Sequence, residues 1–359
     1  MEKILFFTDL HTHNHKKNNF FVYLSYQILN EILQYSIKNE IKKVVFGGDL
    51  FENRTVVYTE YLTSIKAIFK KFNDNNIDLI FVVGNHDMPY KNNTSNNILE
   101  MFEEFGKMVA GDELTKIDVI ENVDIYIQNF SENFDKSFPV KETNNKKILF
   151  SHLDIIGFNY DNGFPSETGF KINDFENFDI VFNGHYHTHQ KRKNIIFAGS
   201  PYQYKRDSLE KSCGFYEITL NNGNIEYNRI SLDYMLPKIT TINLSENIST
   251  LEDIDFSNVD NNYVKIIVEN EDLLMLNTLK NYLLENYDIV DVFYEIKSKQ
   301  EVLEKEEKNL NELQQKLKKS ENFLDKIKEI IIEAYSVEEA EIKEKLKILA
   351  DFLENEKLA

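Results

Sequence analysis

Short, continuously apolar runs alternate with amphipathic stretches through the first third of the chain. Ile4-Leu5-Phe6-Phe7-Thr8 reads as a strand buried on both faces. Residues 19 to 38 place Phe21, Leu24, Ile28 and Ile32 on one helical face, and Val44-Val45-Phe46 follows as a second buried run. A helix near 58 to 73 and the run Leu79-Ile80-Phe81-Val82-Val83 repeat the unit. Such alternation predicts an α/β domain with its working residues on loops after the strands' carboxyl ends. From about residue 117 strands dominate, with runs at 117–120, 123–127, 147–150, 180–182 and 195–197 that predict a second sheet.

Around Asp233 to Pro237 the pattern breaks and becomes acidic, which predicts a domain boundary. Residues 1–232 are expected to form the main domain. Residues 233–296 are expected to form a small accessory domain, with a strand at 263–268, a helix at 271–286 and a strand at 289–296. Residues 297–359 read as a helical tail. There Leu303, Leu310, Leu313, Leu317, Leu324, Ile327 and Ile331 are spaced 7, 3, 4, 7, 3 and 4, a near-heptad stripe that needs a covering surface, from a partner or from this chain itself.

The 359 residues, 42% hydrophobic and 13% aromatic, exclude a mainly disordered chain. Cys213 is the single cysteine, so neither an internal disulfide nor a cysteine-based zinc site is expected, and a reducing, cytoplasmic setting is. No signal-peptide pattern or run of about 18 apolar residues is present, so no membrane partner is expected. The formal charge of -19 is uneven: residues 231 to 296 carry 3 Lys/Arg against 13 Asp/Glu, so the first 230 residues are only mildly acidic. Such a chain would bind nucleic acid weakly by itself.

Candidate chemistry clusters after five of the predicted strands. Asp9 and His11 follow the first, Asp49 the second, Asn85, His86 and Asp87 the third, His152 the run at 147–150, and His185 with His187 the run at 180–182. Any one of these alone is an ordinary turn residue; five strand ends bearing ligand types together are not. Carboxylates, imidazoles and an amide oxygen without a thiol suit Mn, Fe or Zn. Seven candidate ligands, Asp9, His11, Asp49, Asn85, His152, His185 and His187, exceed the needs of one ion, and Asp49 could bridge two.

Asp9-Leu10-His11, Gly47-Gly48-Asp49, Gly84-Asn85-His86-Asp87, Ser151-His152 and Gly184-His185-Tyr186-His187 resemble, in order, the five motifs of the calcineurin-like metallophosphoesterases. Gly48-Asp49-Leu50-Phe51 with Arg54, and Gly199-Ser200-Pro201, further resemble the SbcD/Mre-type DNA repair nuclease subunits; the stretch from Ser151 to Phe170 resembles their phage recombination branch. The resemblance covers roughly residues 1 to 232.

It implies a four-layer α/β/β/α sandwich with a small α+β capping domain and a C-terminal helical tail. It also implies two divalent ions, Mn2+ foremost with Mg2+, Fe2+ or Zn2+ as alternatives. One would be held by Asp9, His11, Asp49 and His187, the other by Asp49, Asn85, His152 and His185. His86 would protonate or stabilise the leaving oxygen, with Asp87 orienting its ring. Glu52 stands where some members carry a second functional histidine.

The implied activity is a Mn-dependent DNA nuclease subunit, a double-strand exonuclease and single-strand endonuclease. A generic metallophosphatase acting on nucleotides or phosphoproteins is the alternative. Arg54, Lys191, Arg192, Lys193, Lys205 and Arg206 are candidate DNA contacts or, equally, ordinary surface charge. Implied partners are DNA, an SbcC/Rad-type ABC ATPase docked through 297–359, and a second copy of the chain.

Overall fold

A computed structural model describes residues 1–12, 20–90, 94, 96–135, 137–203, 212–244, 254–268 and 273–296. In chain order the main elements are β1 (Glu2–Phe7), α1 (Phe20–Lys38), β2 (Lys43–Phe46), α2 (Thr59–Asp74), β3 (Asp78–Phe81), β4 (Gly106–Met108), β5 (Thr115–Ile120) and β6 (Val123–Gln128). They continue with β7 (Lys146–Ser151), β8 (Ile180–Asn183), β9 (Gln190–Arg192), β10 (Ile195–Phe197), β11 (Gly214–Asn221) and β12 (Asn224–Ser231). The last are β13 (Ile239–Leu244), β14 (Tyr263–Val268), α3 (Leu273–Asn286) and β15 (Asp291–Ile296).

Two compact units divide the chain, Met1–Ile239 and Thr240–Ala359. In the first, one sheet has the order β12-β11-β1-β2-β3-β4 and the other β5-β6-β7-β8-β10-β9. β1, β2 and β3 are parallel, as are β6, β7 and β8, so within each sheet these strands send their carboxyl ends to one edge. Alternate residues sort between layers. Ile4 and Phe6 of β1 face Ile148 and Phe150 of β7 and Phe182 of β8 in a shared core between the sheets. On the outer face of the first sheet, Phe69 of α2 packs on Phe81 of β3 with ring centres 5.6 Å apart, and Tyr35 of α1 packs on Phe215 of β11 at 5.2 Å.

The expected mixed α/β sandwich of two sheets is present, but among the described residues no α-helix covers the second sheet: loops and a 3-10 turn at Ile172–Phe175 do so, with Phe138, Phe158, Phe170 and Phe175 packed on it. The second unit is a three-stranded sheet, β13-β14-β15, whose parallel β14 and β15 are joined through α3. Leu276, Leu279 and Leu283 bury the helix face against Ile266 and Val292.

The rings of Phe6, Phe150 and Phe182 stack within 5.3 to 5.8 Å of one another at the centre of the sandwich. Phe150→Ala is expected to leave a cavity there and cost about 3–5 kcal/mol, read as a lowered midpoint in urea denaturation.

Candidate metal centre

β1, β2, β3, β7 and β8 end side by side, and the seven candidate ligands meet there. Asp9, His11, Asp49 and His152 are completely buried or nearly so; Asn85 is 5% exposed. Asp9, His11, Asp49 and His185 hold left-handed backbone, with φ of 55°, 43°, 61° and 85°. Non-glycine residues adopt that region at a cost, and here it turns four side chains back over the strand ends. Close approach also needs bare backbone: a Cβ on Gly84 would lie 2.2 Å from Asp49 Oδ1, and one on Gly184 would lie 2.3 Å from Thr8 Oγ1.

Three groups of ligand atoms each gather within 4.8 Å: Asp9 with His11 and His187, Asp49 with His152 and His185, and His11 with Glu52 and His86; the first two are made of the expected ligands. Asp49 lies between them, its Oδ2 at 3.5 Å from His11 Nε2 and 3.3 Å from His152 Nε2. Asn85 Oδ1 is 3.1 Å from His152 Nε2 and 2.9 Å from His185 Nδ1.

The opposite ring nitrogens are each held by an oxygen. His152 Nδ1 meets the Gly47 carbonyl at 2.7 Å, His11 Nδ1 the Glu52 carboxylate at 2.7 Å, His185 Nε2 the Asp154 carboxylate at 3.1 Å, and His187 Nδ1 the Asp161 carboxylate at 2.5 Å. Such partners fix the tautomer of a metal-binding imidazole and aim its other nitrogen. Buried carboxylates gathered with imidazoles aimed by outer oxygens fit a pair of divalent cations.

Asp154 and Asp161 were not among the residues singled out by the sequence. Asp154 lies two positions beyond His152, a spacing that could have flagged it; Asp161 lies on a loop with no motif. Glu52 both faces His11 and, through its backbone oxygen, accepts from His86 Nδ1 at 2.7 Å.

The expected role of Asp87 needs correction. Its carboxylate accepts from the backbone N–H groups of Gly84 (2.8 Å), Asp49 (2.8 Å) and Leu50 (2.9 Å), and the His86 ring is oriented by Glu52 instead. Asp87 therefore braces the two turns that carry Asp49 and Asn85.

Burial disfavours the charged form of every group here, but pairing overrides it at several. Despite burial, His152 and then His11 and His86 hold the Asp49 carboxyl well below the usual range. Burial opposes the imidazolium of His11, yet Asp9 and Glu52 raise it to about 10; Asp49 likewise raises His152 to about 9. Burial lowers His86, with Asp49 opposing. Pairing with these carboxylates thus favours the protonated form of both histidines, and a bound metal would have to displace those protons. Mn2+ binding at pH 7 is expected to release about two protons and to strengthen as pH rises toward 9. Calorimetry in buffers of different ionisation enthalpy measures that release.

A cavity of about 390 Å³ opens onto the cluster, lined by Asp49, Asn85, His86, His185 and His187 and walled by Tyr160, Asp161, Asn162 and Tyr186. Arg54 and the exposed Lys191, Arg192 and Lys193 are not among its lining residues. Lys191 bonds Tyr227 Oη, Arg192 covers the Phe158 ring and Lys193 bonds Asn173. Lys205, Arg206 and the heptad stripe of 297–359 lie outside the described residues. Among the described residues, no helix is long and apolar enough to cross a membrane.

Residues 2–189 match the family model of calcineurin-like phosphoesterases. The chain is 23% identical over 246 residues to exonuclease subunit 1 of Enterobacteria phage T4, a match covering 68% of this chain and 70% of that protein. It is 25% identical over 236 residues to the DNA double-strand break repair protein Mre11 of Thermoplasma acidophilum, covering 60% and 61% respectively. The Mre11 of Sulfolobus acidocaldarius is 26% identical over 258 residues, covering 67% of this chain and 63% of that protein. The chain thus spans less than two thirds of the length of these two Mre11 proteins.

Proposed function

The chain belongs to the calcineurin-like phosphoesterase family, and from that membership we propose that it is a metal-dependent phosphodiesterase that cleaves DNA. The observation that carries this reading is the meeting of seven ligand side chains around Asp49, with His86 on the wall of the cavity above them. Asp9, His11, Asp49 and His187 would hold one divalent ion, and Asp49, Asn85, His152 and His185 the other. Two such ions supply positive charge for the phosphodiester's non-bridging oxygens and make a water acidic enough to serve as nucleophile.

The chain's own residues do the rest. A backbone carbonyl can only accept, so the Glu52 oxygen requires the proton on His86 Nδ1, and Nε2 is the atom left for proton exchange with a leaving oxygen. The backbone N–H of His86 donates to Asp49 Oδ1 at 2.7 Å, which ties the histidine to the carboxylate that would be shared between the ions; Nε2 would donate only from the doubly protonated ring. Asp154, Asp161 and Glu52 hold three imidazoles in register.

DNA is favoured over a small phosphomonoester by the named relatives, an exonuclease subunit and DNA break repair proteins. Manganese dependence, combined double-strand exonuclease and single-strand endonuclease activity, pairing with a second copy, and docking of an SbcC/Rad-type ATPase through 297–359 extend the proposal. The ATPase would supply the DNA affinity that a chain of charge -19 lacks. Residues 1–232 would act as the nuclease domain, 233–296 as a capping, DNA-binding domain and 297–359 as the docking tail.

Parallel assays on bis-p-nitrophenyl phosphate and p-nitrophenyl phosphate test the class. Faster turnover of the diester is expected; much faster turnover of the monoester would replace this reading with a metallophosphatase.

A further inference from the structure

Residues 157–166 leave the second sheet as a hairpin arm beside the metal centre. Ser166 N donates to Phe158 O (2.7 Å), Tyr160 N to Phe164 O (2.9 Å) and Gly163 N to Tyr160 O (2.9 Å), with Gly163 at φ 85° closing the turn. The arm is pinned to the site. Asp161 meets His187, the Gln190 side chain bonds both Asn159 N and Asn159 O, and the Tyr160 and Tyr186 rings meet at a steep angle with centres 5.2 Å apart. Its tip, Tyr160, Asp161 and Asn162, walls the cavity that holds Asp49, Asn85 and His86. Phe164, opposite Tyr160 across the hairpin, leaves 70% of its surface in solvent, and Tyr160 leaves 37%.

We infer that this arm is a nucleobase-binding wall for the strand cut at the metal centre, an inference that rests on the phosphodiesterase reading above. A nucleotide has a phosphate, a sugar and a base. The phosphate belongs over the ligand cluster. The arm offers it no positive charge: Asp161 is the one charged residue from 157 to 166, and no Lys or Arg is among the described residues that line the cavity. What the arm presents is the Tyr160 ring and Asn162 on the cavity wall, with Asn162 Oδ1 holding the Phe164 N–H, and the exposed Phe164 ring beside the cavity rather than in its lining; rings of this kind suit a base's flat surface. Every base has such a surface, so the wall would tolerate any sequence.

The test uses the full chain with Mn2+ and a single-stranded oligonucleotide, compared with the same strand carrying abasic sugars beside the cleaved linkage. Removing the bases is expected to raise KM roughly tenfold, within the range for one base on one aromatic ring. Phe164→Ala should raise KM by a similar factor on the normal strand, add no loss on the abasic strand and leave kcat unchanged, and Phe164→Trp should restore KM. A 2-aminopurine beside the linkage reads stacking without turnover: its fluorescence should be quenched by the unaltered chain and not by Phe164→Ala. Unchanged KM in Phe164→Ala, or equal losses on both strands, overturns the inference. Quenching without cleavage overturns the phosphodiesterase reading alone; neither quenching nor cleavage overturns both.

Discussion

Replacing Asp49 with alanine is expected to lower divalent-metal affinity by more than about 100-fold, beyond what loss of an outer partner of a metal ligand costs, and to remove hydrolytic activity with it. Asp49 is 1% exposed and lies between the two ligand groups, with His11 and His152 facing one oxygen and the His86 backbone amide donating to the other. Its loss removes a carboxylate that faces an imidazole of each group, His11 and His152, and leaves those rings without it. Asp49→Asn keeps volume and one oxygen but not the charge, so it separates a ligand role from packing. Metal content after dialysis, measured by mass spectrometry alongside the thermal midpoint, is the check. A folded Asp49→Asn protein that retains two ions per chain would show that this residue does not bridge.

His86→Ala has a different signature. The ring sits on the cavity wall with Nδ1 held by Glu52, and it belongs to neither of the two ligand groups that contain Asp9 and Asp49. Its removal is expected to lower kcat by about 10²- to 10⁴-fold, the usual worth of a positioned proton donor, with metal content unchanged. Preserved activity would refute the proton-transfer role. Lost metal would make His86 a ligand, grouped with His11 and Glu52, whose ligand atoms also gather within 4.8 Å.

Much of this side-chain cluster was legible in the chain because its candidate ligands follow strands that local pattern reveals. β1, β2 and β3 are short apolar runs, and a strand's carboxyl end is where such a sheet exposes side chains. The hairpin of β11 and β12 passed unread, although Asn222-Gly223 between alternating residues is a strong turn signal. What no local pattern shows is that β11 returns to pair antiparallel with β1, some 200 residues earlier, with Leu5 opposite Glu217. Asp161 escaped for the same reason: its partner His187 is 26 residues away, and nothing in the intervening loop marks the contact. Asp87 shows that neighbours in sequence need not be partners, since the turn at 84–87 folds its carboxylate onto three backbone amides and aims the His86 ring at Glu52. Glu52 read as a departure from a family pattern; in the fold its carboxylate faces His11 while its carbonyl sets His86.

The most direct measurement is incubation of end-labelled double-stranded DNA with the purified chain in Mn2+, Mg2+ or chelator, beside the His86→Ala protein. Manganese-dependent loss of full-length DNA, abolished by chelator and absent with His86→Ala, is the predicted result. Intact DNA under every condition, together with rapid hydrolysis of a simple phosphomonoester, would contradict it.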